Sequence, residues 1–274
     1  MGLDHYAVKE GKELRCGYTT GTCAAAATSA AAKMLFSGKP VASVRIATPK
    51  GIVLDLPAEE AAFLESGARC AVRKDAGDDP DMTDGLLVFA TVEKSGEKGI
   101  LICAGDGVGI VTKPGLSAPV GGPAVNATRR MIMEAAQAVM DAYRYRGGLK
   151  ITLSIPGGAE IARKTFNPRL GIEGGLSVLG TSGIVEPMSE QALIDTIHVE
   201  MNSLRAAGGK HVLAFFGNYG VDFTRNEWGI DTENRITCSN YIGELLDYAV
   251  YLGFSDVLLI GHVGKILKLA QGIM

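Results

Sequence analysis

The chain has 274 residues, 47% hydrophobic and 21% charged, with a formal net charge of -3. That length suits one large domain or two ordinary ones, with enough burial that neither disulfides nor metals are needed. The slightly acidic balance argues against a nucleic-acid partner, which calls for a basic face. No apolar run is long enough to span a bilayer, so no membrane partner is expected. The polar, charged start from Met1 lacks the apolar core of a secretion signal, and a cytoplasmic protein is the expectation.

Five cysteines without Cys-x-x-Cys spacing form neither a zinc pattern nor a disulfide framework, and they fit a reducing compartment. Cys70 and Cys103 lie in apolar strand patterns and read as inert core thiols. Four scattered histidines give a protein metal site little support, and none is expected.

Residues 1–16 read as a polar lead-in. The block Gly17-Tyr18-Thr19-Thr20-Gly21-Thr22-Cys23 then opens an alanine-rich helix ending near Gly38. Thr19, Thr20 and Thr22 gather hydroxyls and free N–H groups at its positive end. That suits a carboxylate or phosphate, and equally ordinary capping. Residues 41–47 and 51–56 read as strands around a Thr-Pro-Lys-Gly turn, 58–66 as a short helix, and 68–74 as another strand. That strand delivers Lys74 into an acidic loop containing Asp75, Asp78, Asp79, Asp81 and Asp84. The loop suits a cation or general base, or a solvated turn, and it lacks the ligand spacing of a calcium loop.

Residues 85–93 and 99–104 read as a hairpin. Gly105-Asp106-Gly107-Val108-Gly109 only superficially resembles a dinucleotide fingerprint, because Thr112-Lys113-Pro114 and not a helix follows. Lys113 is read as aimed at an anion. A long helix is expected over 124–146, with Arg129 and Arg130 near its start, where cations oppose the dipole. A strand at 149–155 and a helical turn at 159–166 follow.

The texture changes around 168–175, where the domain boundary is placed. Strands at 176–179, 211–216 and 256–260 alternate with helices at 189–207 and 240–252 and one after the last strand. Each strand ends in a glycine turn: Gly180-Thr181-Ser182-Gly183, Gly217-Asn218-Tyr219-Gly220 and Gly261-His262-Val263-Gly264-Lys265. Alternating strands and helices imply a parallel sheet, whose ligands sit beyond the carboxyl ends of its strands. The expected architecture is an α+β N-terminal domain (1–168) followed by a Rossmann-like α/β domain with a mainly parallel sheet (169–274). His262 and Lys265 are candidates for polar contacts.

The blocks at 17–26, 74–81, 112–116, 165–189 and 261–265 together, in that order and spacing, resemble the CbiD family of cobalamin biosynthesis. The resemblance covers nearly the whole chain. It implies an S-adenosylmethionine-dependent methyltransferase acting at C1 of cobalt-precorrin-5B to give cobalt-precorrin-6A. Cobalt then enters only as part of the substrate. Two details depart from the family pattern: Asn126-Ala127-Thr128 replaces an Asn-Pro segment, and Asp84 stands where His is commoner. Family chains also continue past the last helix, so a chain shortened at Met274 is expected.

A corrin rimmed with carboxylates, with the first domain as its expected side, implies cations and N–H groups: Thr19, Thr20, Thr22, Lys74, Lys113, Arg129, Arg130 and Arg169. Gly180, Thr181, Ser182, Gly183, Gly217, Asn218 and Gly220 are placed against the cofactor, with Glu186 as a partner for its hydroxyl or amino groups. Asp78, Asp79, Asp81 and His262 are the candidate bases, unranked. A homo-oligomer is compatible with such a chain. Two other readings stand beside this one. The first is a phosphate- or nucleotide-handling enzyme, although the lysine turn lacks P-loop spacing. The second is a non-catalytic corrinoid-binding pathway protein.

Overall fold

The computed structural model describes residues 3–272, so Met1 and Met274, the ends named above, lie outside the described residues. The protein is a mixed α/β structure of two compact units. The first contains residues 1–112 and 117–188, and the second contains 113–116 and everything from Ser189 onward.

The first unit opens with a hairpin, β1 (Tyr6–Lys9) and β2 (Lys12–Arg15), where a polar lead-in was expected. Its turn places Glu10 and Gly11 at positive φ, the geometry of a tight hairpin turn. After the two-residue β3 (Gly17–Tyr18), α1 (Thr20–Ser37) runs through the core. Its seven core alanines, at 24–27 and 30–32, are fully buried. Small side chains let a helix be covered on all sides, here by the sheet, a second helix and a neighbouring hairpin. Thr19 caps its start and Gly38, at φ 67°, ends it in the left-handed region.

A hairpin of β4 (Ser43–Ala47) and β5 (Val53–Pro57) follows, then β6 (Glu59–Phe63), where a helix was expected. Pairing with β7 (Gly67–Arg73) overrides the local helical preference, with a register irregularity between Glu59 and Ala62. β8 (Leu87–Ser95) and β9 (Gly99–Ala104) are adjacent in sequence but do not pair with each other. β10 (Ile110–Val111) and α2 (Arg129–Ala142) come next, and then β11 (Gly148–Ser154) inserts between β8 and β9. The sheet order is β6-β7-β8-β11-β9, antiparallel except for the parallel β11–β9 pair. The expected 85–104 hairpin is thus split by a strand about fifty residues downstream, which local turn chemistry cannot reveal.

After α3 (Gly158–Ala162), β12 (Ile172–Glu173) pairs with β10, and β13 (Ile184–Val185) pairs with β3. These pairings keep residues 169–188 in the first unit. The chain therefore divides at Met188/Ser189, and not at the 168/169 boundary expected from the glycine texture. Those glycines serve close packing: a Cβ on Gly175 would lie 2.3 Å from the Gly107 backbone, and one on Gly107 would meet the carbonyl of Ile155. Leu176 and Val178 make only isolated bridges, to Val108 and Val125, so 176–179 is not a strand of the second unit.

The second unit contains α4 (Glu190–Ala206), β14 (His211–Phe215), α5 (Asn218–Trp228), β15 (Ile236–Thr237), α6 (Ile242–Tyr251), β16 (Asp256–Ile260) and α7 (Val263–Ala270). Its three strands are parallel in the order β15-β14-β16. Ile197, Met201, Val212, Ile236, Ile242 and Leu245 form a core of their own. α5 and β15 lie between the strand expected at 211–216 and the helix expected at 240–252, where the sequence reading places no element.

Candidate functional site

In the second unit, β14 and β16 lie side by side and end at the same edge, each running through glycine into a helix. A groove of about 290 Å3 opens there, lined by Phe216, Gly217, Asn218, Tyr219, Gly220, Gly261, His262 and Lys265. The structure thus brings together Gly217, Asn218, Gly220 and His262. An added Cβ on Gly220 would press on Phe215 and the Ile260 carbonyl, so that glycine seats α5 against the sheet. Gly217 is extended, with nothing within 4 Å of an added Cβ, so it faces open space. His262 caps α7: its Nδ1 accepts the Gly264 N–H at 3.2 Å, which leaves the proton of the neutral ring on Nε2. Lys265 donates from Nζ to Asn240 Oδ1 at 2.6 Å.

Gly180, Thr181, Ser182 and Gly183 are in the first unit, at the start of α1. The Thr19 N–H donates to the Gly183 carbonyl at 3.1 Å, and the Gly21 N–H to the Leu179 carbonyl at 3.0 Å. The Thr22 hydroxyl donates to the Gly183 carbonyl at 2.7 Å. The Thr20 hydroxyl donates to the Leu179 carbonyl and accepts from the Leu179 N–H. Gly180, at φ 129°, lies against Thr19, where a Cβ would sit 2.2 Å from Oγ1. The predicted cofactor turn and the predicted substrate-binding threonines therefore meet, but on each other. They form the joint between helix and turn, and Thr19, Thr20 and Thr22 are buried in it. Ser182 bonds Ile184, Thr181 is exposed, and Glu186 forms an ion pair with Lys50.

The acidic loop is folded around its own carboxylates. Asp75 takes both ends of the Arg15 guanidinium at 2.7 and 2.8 Å and also accepts the Gly77 N–H. Asp78 accepts the Arg15 N–H, Asp79 the Met188 N–H, and Asp84 the Ala76 N–H. Asp81 accepts the N–H and hydroxyl of Thr83 and faces Lys74 Nζ at 3.2 Å. The Arg15 hydrogen bond outweighs burial and holds the Asp75 carboxyl below its ordinary range. Burial pushes Asp81 up, but the Thr83 N–H and hydroxyl together with Lys74 outweigh it, so this carboxyl too stays low. Asp78, Asp79 and Asp81, read from sequence as candidate bases, are each engaged by N–H groups. Among the described residues no group of three or more His, Cys, Asp or Glu side chains could hold a metal ion.

Lys74 is 2% exposed and does not reach solvent. Arg129 and Arg130 open α2, whose N-cap Thr128 turns its hydroxyl to the Val178 carbonyl and leaves the helix without a side-chain cap. Arg129 is half-buried, and Arg130 lies 3.6 Å from Glu134. Arg169 stacks over the exposed Phe166 ring at 5.6 Å. Lys113 is exposed and belongs to the second unit, whereas the other four cations belong to the first. Cys70 is buried and Cys103 half-buried. Burial pushes the Cys23 thiol up to about 12 and Cys70 to about 11, which makes both poor nucleophiles.

Sequence reasoning missed Asn240 and the groove walls Phe216 and Tyr219. Asn240 follows a strand of only two residues, too short to show a period, and aromatic walls have no spacing signature.

The CbiD family model matches residues 7–187. A cobalt-precorrin-5B C(1)-methyltransferase from Ruminiclostridium cellulolyticum is 52% identical over 273 residues, covering 99% of this chain and 71% of that protein. One from Thermoanaerobacter sp. is 48% identical over 272 residues, covering 99% of this chain and 73% of that protein. A crystal structure of a cobalamin biosynthesis protein (cbiD) from Archaeoglobus fulgidus aligns over 97% of this chain and 83% of that chain. Its TM-score is 0.53 and its identity 28%. With a match over more than half of its length and relatives of this similarity, the chain belongs to the CbiD family.

Proposed function

We infer that this chain is a methyltransferase that methylates C1 of cobalt-precorrin-5B in cobalamin biosynthesis, with S-adenosylmethionine as donor. The observation that carries the reading is similarity over nearly the whole chain to proteins of that name. The second unit, read as a Rossmann-like module, takes the donor in the groove at the ends of β14 and β16. Ligands of parallel sheets bind at such carboxyl edges. At about 290 Å3 the groove sits near the lower end of small-molecule pockets, roughly 300–1,000 Å3, so it suits one end of the donor.

The donor supplies a methyl group on a sulfonium. The protein's part is to hold it in line with the ring carbon, which is a positioning effect. The first unit takes the corrin. The uncapped start of α2 with Arg129, together with Arg130 and Arg169, suits its peripheral carboxylates. Cobalt belongs to the substrate.

Incubation of the full chain with S-adenosylmethionine and cobalt-precorrin-5B, read by mass spectrometry, should give a corrin carrying one more methyl group. Corrin binding without methylation would leave the non-catalytic corrinoid-binding protein as the better reading.

A further inference from the structure

Every side chain lining the groove is neutral or cationic, and no carboxylate is among them. Lys265 rests on the neutral Asn240 amide and forms no ion pair among the described residues. The first turns of α5 and α7 contain no acidic residue either, so both positive helix ends remain uncompensated beside the lysine. His262 adds a donor and not a base, because its Nδ1 is already accepting from Gly264. A cavity with cation, N–H donors and no counter-charge is built for an anionic group. Of the donor's parts, only the amino-acid end carries one.

We propose that the groove seats the carboxylate of the methyl donor, read by Lys265 Nζ and the Nε2–H of His262, with Asn240 as a positioning residue for the lysine. The proposal rests on the reading that S-adenosylmethionine is the donor, and it fixes which end of that molecule enters the groove. No bond is made or broken in this step. Asn240 acts only through Lys265, by holding its ammonium at the groove wall.

The test is calorimetry on the full chain with S-adenosylmethionine and its decarboxylated analogue, which keeps the sulfonium, amine and adenosine. The wild type should bind S-adenosylmethionine about tenfold or more tightly than the analogue, the range for a charge-assisted hydrogen bond. Lys265→Met should weaken S-adenosylmethionine by about tenfold to a hundredfold and leave the analogue unchanged, while Lys265→Arg should restore most of the discrimination. Asn240→Ala should produce a smaller loss of the same kind. Equal binding of both ligands by the wild type, or an equal loss of both in Lys265→Met, overturns the carboxylate assignment and leaves the donor reading intact. No binding of S-adenosylmethionine to the wild type overturns both. Inorganic phosphate displacing S-adenosylmethionine at comparable concentration would mark a general anion site and also overturn the assignment.

Discussion

Lys74 has 1% of its side chain exposed, and its ammonium faces Asp81, itself 26% exposed. Removing one member of a buried ion pair leaves the other charge without compensation. The asymmetry in exposure decides which removal matters more. Asp81→Asn strands a fully buried ammonium and should cost about 2–3 kcal/mol of stability, below the range for fully buried pairs because Asp81 is partly solvated. Lys74→Met leaves a carboxylate that still has Thr83 and water, and should cost about 1 kcal/mol or less. Urea unfolding of both variants checks the order, and a larger loss in Lys74→Met would contradict it. The same residues set an acid dependence. Asp75 and Asp81 bind protons less tightly folded than unfolded. Their contribution is present above the unfolded value, about pH 4, and is lost as pH falls through the lower folded values. Asp75→Asn should therefore flatten the loss of stability below about pH 4, which unfolding midpoints measured across that range would show.

At the scale of elements, two glycines that look alike in sequence differ in what surrounds them. Gly180 has positive φ and no room for a Cβ beside Thr19, whereas Gly217 is extended and faces open space. Gly180→Ala should destabilise the first unit by about 2–4 kcal/mol through strain and overpacking at the α1 joint. Gly217→Ala should leave stability unchanged within about 0.5 kcal/mol but weaken donor binding, because its methyl enters the groove. Thermal unfolding and calorimetry on the two variants separate these outcomes, and a stable Gly180→Ala with lost donor affinity would return the donor to the α1 joint. This contrast also shows what was legible in advance. The shared edge of β14 and β16, each strand running through a glycine turn into a helix, was readable because strand, turn and helix are local signals. The turn at 180–183 carried the same local signal, but its partner is α1, about 160 residues earlier in the chain. The insertion of β11 between β8 and β9 escaped for the same reason: strand order is decided by non-local packing. α1 itself was plain, since a run of alanines after a threonine cap admits few other forms.

At the scale of the molecule, the two units have hydrophobic cores that share no residue. The chain's single tryptophan, Trp228, lies at the end of α5 in the second unit and packs edge-on against Phe223 at 5.3 Å. Its fluorescence therefore reports the unfolding of the second unit, while amide exchange along α1, followed with temperature, reports that of the first. A ligand that binds only one folded unit stabilises that unit by about 2.7 kcal/mol at a hundred times its dissociation constant. For a unit of fewer than a hundred residues this amounts to a rise in midpoint of about 11–22 °C. With S-adenosylmethionine at that excess, the Trp228 transition should move upward by about this amount and the first-unit transition should move little. A corrin ligand bound by the first unit should do the reverse. A donor that raised only the first-unit transition would place the methyl donor beside α1 and overturn its assignment to the groove of β14 and β16.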